Sequence, residues 1–337
     1  MTGNFSATYA ILAVFISTYL LGSAVVQAHN SCPQLQDDFN TFPNARNWDV
    51  KRLGSSVNYQ LEQTIVREGA KALAIQVSGH DELDKEGNLK HELWEAPSNW
   101  CEFGHEVWYS FSFTIKGKGK PAGSTRWVIG QWKEQSGGSP FLAQRFDNGV
   151  FHITVQHNDT RQLVAKASGS FERDFSLFVN ELKQLMLLER QGLRQQHDAI
   201  TEADDAVSAK LSLTQLKQAI EKQDISKFPF LADPQEYKQD AEIKIHLSAD
   251  PDLPDPTKGW VDMRYRIKGG LNNTGLIEIW ANDKFIARIT GSIGNKIKSG
   301  NLQYFKMGHY RDYDYDSFQS TLFFDRFRRG LSKEDVN

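Results

Sequence analysis

The segment YFKMGHYRD, residues Tyr304–Asp312, brings phenol, amine, imidazole and guanidinium groups together within one short run. Side chains alternate between the two faces of a β-strand, so Tyr304, Lys306 and Tyr310 share a face if the segment is extended. Gly308 lies between them and would leave room for a ligand. A strand that only packed a core would not need these groups, and the segment therefore predicts a polar binding face.

A second run, TRWVIGQWK at residues 125–133, alternates in the same way. Alternation predicts one face with an amide and a cation beside apolar residues, formed by Trp127, Ile129, Gln131 and Lys133. The opposite face would carry Arg126, Val128, Gly130 and Trp132. Across the strands, the pattern predicts amide, cation and phenol groups on one concave sheet, with tryptophans as platforms.

Two further runs add candidate groups to this face. FLAQRFDNGVFHITVQ predicts a hairpin that turns at residues 147–149 and carries Arg145 on one strand and His152 on the other. In KHELWEAPSNW, Glu92 could fix a cation of the site or pair with a surface cation. His91 is a histidine among polar strand residues, and imidazole is the side chain best suited to proton transfer near neutrality.

The rest of the chain predicts the elements that position these groups. Eight Trp, ten Tyr and 21 Phe in short alternating runs indicate an all-β protein, either a β-sandwich or a jelly roll. Residues 170–238 break the pattern, since apolar residues recur there every three or four positions, which predicts a helical insertion. The insertion could be a solvent-exposed segment that packs on the rim of the sandwich, a dimerisation element or a lid over a cleft.

Export is predicted from the first 28 residues. They hold an uncharged apolar run that ends in Val26-Gln27-Ala28, which is typical of a cleaved signal peptide, with a membrane anchor as the alternative. Residues 29–337 would then form one jelly-roll domain, secreted or periplasmic and without a membrane span. Cys32 and Cys101 could form a disulfide in an oxidising compartment, or remain two separate thiols.

A net charge of −3 and a pI near 6.3 argue against a nucleic-acid partner. Any polyanion would have to bind to local positive charge. The oligomeric state cannot be read from the sequence.

The order of five motifs resembles the jelly-roll polysaccharide lyases of the heparin lyase I and glucuronan lyase group, with alginate lyases as more distant relatives. The resemblance spans residues 37–330 apart from the helical stretch. The motifs are HELWE, STRWVIGQWK, SPFLAQRF, GLIEIWANDKFIARITGSIG and YFKMGHYRD.

The resemblance implies β-elimination on a uronic-acid-containing polysaccharide, with no cofactor required. Gln131 would neutralise the sugar carboxylate, and Lys306 would hold it or lower the phenol pKa. Tyr310 would be the acid, and the base role is a second option for it. The implied substrate-binding residues are Lys133, Arg145, Tyr304, Trp132, His152 and Glu92.

The sequence departs from the family at Lys133, where relatives carry a histidine two residues after the glutamine. The base role then falls to Tyr310, His91 or His152, with His91 as first choice. The departure also leaves open a non-catalytic protein that binds acidic glycans. A glycoside hydrolase is disfavoured because Glu92 and Glu95 would point to opposite faces.

A structural Ca²⁺ is a further prediction, based on the calcium sites of related sandwiches. It would be held where Asp37 and Asp38, near the start, meet Asp325 in the last strand. In the run DYDYD, residues 312–316, solvated charge is the preferred interpretation.

Overall fold

The computed structural model describes residues 32–53, 58–85, 87–117, 127–135, 138–146, 150–167, 239–295, 301–312 and 319–337. These residues form two antiparallel β-sheets with short 3₁₀ turns at Val50–Arg52, Pro97–Asn99 and Glu334–Val336. The predicted helical insertion at 170–238, the signal segment at 1–28 and the hairpin turn at 147–149 lie outside the described residues. None of the helices described is long and apolar enough to cross a bilayer.

The nine-stranded sheet, called the back sheet here, has the order β12-β15-β14-β13-β7-β17-β4-β3, with β1 also paired to β17. Its strands are β1 (Leu35–Asp37), β3 (Tyr59–Glu62), β4 (Ala72–Ser78), β7 (Val107–Gly117), β12 (Ile243–Leu247), β13 (Val261–Lys268), β14 (Gly270–Ala281), β15 (Lys284–Ile293) and β17 (Gln319–Gly330).

The eight-stranded sheet, called the front sheet, has the order β11-β10-β9-β8-β16-β5-β2, with β6 also paired to β16. Its strands are β2 (Trp48–Asp49), β5 (Asn88–Glu95), β6 (Cys101–Glu102), β8 (Trp127–Glu134), β9 (Leu142–Arg145), β10 (His152–His157), β11 (Thr160–Lys166) and β16 (Leu302–Asp312).

The core lies between the two sheets and follows from the alternation of the sequence. In β13, Val261, Met263, Tyr265 and Ile267 are buried, while the residues between them are partly exposed. Phe305 of the front sheet meets Tyr109 and Phe111 of the back sheet with ring centroids 5.4 and 5.3 Å apart. The all-β, two-sheet prediction is confirmed.

A disulfide joins Cys32 to Cys101, as the sequence allowed. It ties the segment before β1 to β6 of the front sheet and closes a loop with a sequence separation of 69. A cross-link of this span restricts the unfolded chain more than a short one would.

Replacing both cysteines by alanine is expected to lower the free energy of unfolding by about 2–4 kcal/mol, because the unfolded chain regains the loop entropy. Urea unfolding of the variant and the oxidised parent measures the difference. Parent protein unfolded in the presence of a thiol reductant is the control and should approach the variant. Equal unfolding midpoints for the variant and the oxidised parent would contradict the expectation.

Candidate active site

Polar side chains from five neighbouring strands line the outer face of the front sheet. Directly paired residues of antiparallel strands share a face, so the register places them in transverse rows. In one row, Trp94 of β5, Lys306 of β16 and Gln131 of β8 lie side by side. Ala143 of β9 and Thr154 of β10 continue it.

The middle of this row is an ammonium group between an indole and an amide. Lys306 Nζ lies 3.3 Å from the centroid of the Trp94 ring. Lys306 and Gln131 are only 2% and 4% exposed. A cation and an amide donor held side by side in buried positions can together bind a carboxylate.

A second row of the outer face contains Tyr310. Its neighbours are Lys90 of β5 on one side and Val128 of β8 on the other. Arg145 and His152 continue the row on β9 and β10. Lys90 Nζ lies 4.6 Å from the centroid of the Tyr310 ring, so a positive charge sits over the phenol.

Glu92 lies between these two rows, opposite Gly308. It is 1% exposed, and its Oε1 accepts a hydrogen bond from Gln131 Nε2. Its Oε2 is 3.9 Å from Lys90 Nζ. The carboxylate therefore connects the amide of one row to the cation of the other.

The remaining polar residues predicted for this face have the following partners. Tyr304 pairs with Lys133 across β16 and β8, and its ring stacks on Trp100 with centroids 4.2 Å apart. Arg145 Nε donates to Thr154 Oγ1 at 3.2 Å. His152 Nδ1 lies 2.8 Å from the carbonyl oxygen of Val150.

A β-bulge in β8 corrects the alternation predicted for residues 125–133. The register of β8 shifts around Ile129 against both β9 and β16. A bulge adds one residue and reverses the faces beyond it. As a result, Trp127 and Ile129 belong to the core cluster, while Gln131 stays on the outer face.

Trp132 was predicted to bind substrate, and the structure contradicts this. Its side chain is 1% exposed and packs between the sheets against Tyr109, Tyr265 and Phe305. The position directly follows Gln131, so alternation turns it inward. Trp132 is a core residue.

The structure also contradicts His91 as the base of this site. His91 pairs with His309 and so lies on the inner face of β5, opposite to Glu92. Its Nε2 is 3.1 Å from Asp81 Oδ2, and the side chain is buried. It cannot reach a ligand that contacts Gln131 and Tyr310 on the outer face.

His309 lies beside His91 in this inner polar cluster. Its Nε2 is 2.6 Å from Ser320 Oγ, and its ring centroid is 4.8 Å from that of Trp127. Burial lowers the pKa of His309 well below its usual value, and the positive charges of Arg311 and His91 lower it further.

The depressed pKa predicts that the protein loses stability in mild acid. In the unfolded chain His309 takes up a proton below about pH 6.5, whereas the folded protein keeps it neutral to lower pH. His309 thus contributes stability that is present above pH 6.5. This contribution is lost as pH falls, at up to about 1.4 kcal/mol per pH unit.

Urea unfolding between pH 8 and pH 5 should show this slope, and His309→Gln should flatten it. An unchanged slope in the variant would contradict the assignment.

A glycine is needed at position 308 for a different reason from the predicted one. Its φ of +154° lies at the edge of the region that favours glycine. A Cβ at this position would overlap the carbonyl oxygen of His91 and the Cα of Glu92. The glycine is required by the close approach of β5, rather than by a ligand.

The carboxylates predicted to hold calcium have nitrogen donors as partners. Asp37 accepts from Phe39 N and Trp48 Nε1. Asp325 accepts from backbone N–H groups of residues 67, 68 and 326, and Asp38 pairs with Arg328. Within the described residues no group of three or more His, Cys, Asp or Glu side chains could hold a metal ion. Each of the three carboxylates therefore has a nitrogen donor, and the calcium site stays a prediction.

Three residues of this face were missed by the sequence analysis: Lys90, Trp94 and Trp100. Lys90 and Trp94 are two residues before and after Glu92, so alternation alone already placed them on its face. Trp100 comes from the turn after β5 and reaches Tyr304 through tertiary packing. No local pattern in the sequence signals that contact.

Comparison with known proteins gives a family match and a set of similar folds. The profile of a family described as "Polysaccharide lyase" matches residues 39–328. No curated protein sequence matches the chain. An endo-β-1,4-glucuronan lyase from the fungus Trichoderma reesei superposes with a TM-score of 0.51 at 11% identity, covering 90% of this chain and 97% of its own.

Two alginate lyases give lower scores. One from Polysaccharide Lyase family 7 has a TM-score of 0.42 at 9% identity, covering 82% of this chain and 83% of its own. One from Pseudomonas aeruginosa has a TM-score of 0.42 at 10% identity, covering 86% and 100%. At such identities, the likeness to the glucuronan lyase supports the two-sheet fold alone.

Proposed function

The chain belongs to the polysaccharide lyase family, and on this premise we propose that it cleaves a uronic-acid-containing polysaccharide by β-elimination. The family resemblance inferred from the motifs is thereby confirmed, while the substrate and the residue roles are our proposal. The observation that carries it is the grouping of Gln131, Lys306 and Tyr310 on one face of two adjacent strands.

Gln131 and Lys306 neutralise the uronate carboxylate in this proposal. The amide and the ammonium group are direct cross-strand neighbours, and both are buried. Donors fixed in a water-poor site stabilise the negative charge that develops on the carboxylate as the C5 proton leaves. Lys306 cannot turn away freely, because its ammonium group rests on the Trp94 ring.

Tyr310 serves as both base and acid. As a phenolate it takes the C5 proton, and the electron pair of that C–H bond forms the C4–C5 double bond. The C4–O4 bond breaks, and the phenol returns a proton to the leaving O4. Lys90, over the Tyr310 ring, favours the phenolate by its charge.

The other candidates for the base are less suitable. Lys133 replaces the family histidine and pairs with Tyr304, one row further from Tyr310 than Gln131. His152 is three strands from Tyr310, or about 14 Å at the usual strand spacing. A single sugar cannot contact both His152 and Tyr310. His152 and Arg145 would instead hold a neighbouring sugar of the same polymer, and Lys133 and Tyr304 another.

Export from the cell is part of the proposal. A disulfide between Cys32 and Cys101 is typical of proteins that fold in an oxidising compartment, which agrees with the apolar first 28 residues. Acidic polysaccharides are substrates that an exported enzyme would meet.

Ultraviolet absorbance of the purified protein with glucuronan, alginate and heparin-like polymers tests the function. The C4–C5 double bond conjugates with the carboxylate, so absorbance rises on the correct polymer. Reduced polymers, in which the carboxylates are converted to alcohols, are the matched control and should give no signal. Tight binding of an acidic polymer without any product would contradict the proposal.

A further inference from the structure

The carboxylate of Glu92 has no direct part in the chemistry proposed above, yet it is the most deeply buried charge of the outer face. Glu92 is 1% exposed, and a carboxylate gains no stability from being buried among apolar groups. Its Oε1 accepts a hydrogen bond from Gln131 Nε2. Its Oε2 has no hydrogen-bond partner among the residues that the structure describes, and the Lys90 ammonium group lies 3.9 Å from it. Burying a carboxylate with one hydrogen bond and a distant counter-charge costs free energy, and a functional role would account for that cost.

A glutamine amide has two ends of nearly equal shape but opposite hydrogen-bonding character. Its NH₂ donates two hydrogen bonds, and its carbonyl oxygen only accepts. For Gln131 to bind a substrate carboxylate, the NH₂ must face the ligand. If the amide rotates by half a turn, the carbonyl oxygen faces the carboxylate and repels it.

We propose that Glu92 is a positioning residue that fixes the amide orientation of Gln131. An ionised carboxylate only accepts hydrogen bonds, so the amide end that touches Glu92 must be the NH₂. One N–H then binds Glu92, and the second remains for the substrate. Lys90, beside the other oxygen of Glu92, balances the negative charge.

The neighbours of Gln131 explain why a separate residue is needed. Lys306 is the cross-strand neighbour of Gln131, and a positive charge nearby favours a carbonyl oxygen over an NH₂ group, which is the wrong orientation. On the other side, Ala143 offers no polar side chain. Glu92 opposes the pull of Lys306 and keeps the donor end available. This inference rests on the proposed role of Gln131 and adds the residue that sets its orientation.

A double-mutant cycle with Glu92→Gln and Gln131→Ala tests the coupling. Glutamine at position 92 can accept or donate, so Gln131 loses its fixed orientation and kcat is expected to fall about ten- to a hundredfold, with a smaller change in KM. In the Gln131→Ala background, Glu92→Gln should change kcat less than twofold, because there is no amide left to orient. Effects that multiply in the double variant would overturn the proposal.

Glu102→Gln is the matched control, since Glu102 is an exposed carboxylate of the same sheet, in β6. It should leave kcat and KM unchanged. Thermal unfolding of each variant identifies any loss of fold. A fall in kcat of similar size in Glu102→Gln would also overturn the proposal, since any carboxylate of the sheet would then have the same effect.

Nuclear magnetic resonance of glutamine-¹⁵N-labelled protein gives a readout that needs no activity. In the unsubstituted protein, the Gln131 amide proton that faces Glu92 should exchange with water more slowly than its geminal partner, and Gln131→Ala assigns the signals. Equal exchange of the two protons would overturn the orientation. If no polymer yields product while the two protons differ, the lyase proposal fails and the Glu92–Gln131 contact stands.

Discussion

Tyr310→Phe is expected to lower kcat on the cleaved polymer by about 10²–10⁴-fold, the usual loss when a general acid–base group is removed. The substitution deletes only the hydroxyl group and keeps the ring under the Lys90 ammonium group. Substrate contacts made by Gln131 and Lys306 remain in place. KM should therefore change much less than kcat, since the lost group acts on the transition state.

The control is Tyr59→Phe, which deletes a hydroxyl from β3 of the back sheet. It should leave kcat and KM as in the parent. Initial rates of absorbance increase, measured for parent, variant and control at saturating polymer, give the comparison. If Tyr310→Phe kept more than a tenth of the parental kcat, another group would have to be the acid and base.

Alternation in the sequence predicted most of the outer face correctly. Tyr304, Lys306 and Tyr310 do lie on one side of β16, because the strand stays regular against β5 over residues 306–312. Prediction failed where the backbone is irregular. The bulge at Ile129 turned Trp127 into the core. Gly130, the next residue, is the one local signal of an inserted position, and the alternation was read through it.

The role predicted for His91 was wrong for a different reason. Its residue type suits proton transfer, but it directly precedes Glu92 on β5, whereas Lys90 and Trp94 are each two residues from Glu92 and share its face. The alternation of side chains along β5 already predicted that His91 points inward, away from the face of Glu92. Asp81, which holds His91, comes from another part of the chain, and such a contact cannot be read from local sequence.

The pair Glu95–Arg329 shows most clearly what sequence alone does not reveal. Glu95 of the front sheet and Arg329 of the back sheet are both fully buried, with Oε1 and Nη1 3.0 Å apart. Phe305 N donates to Glu95 Oε2 at 2.9 Å, and Arg329 Nη2 donates to Asn99 O at 2.8 Å. The ion pair therefore joins the two sheets through the core.

Glu95→Leu is expected to lower the free energy of unfolding by about 3–5 kcal/mol, because it leaves the Arg329 guanidinium group buried without its counter-charge. Glu95→Leu combined with Arg329→Met should be less destabilised than either single variant, since an apolar pair leaves no charge in the core. Urea unfolding of the two single variants, the double variant and the parent measures these differences.

Asp250→Ala is the control, since it removes one carboxylate from the exposed pair with Lys284, which solvent screens. Its unfolding midpoint should stay near that of the parent. If the double variant were as unstable as the sum of the two singles, the cost would come from lost volume and not from an unpaired charge. Such additivity would mean that the two charges do not measurably stabilise each other in the folded protein.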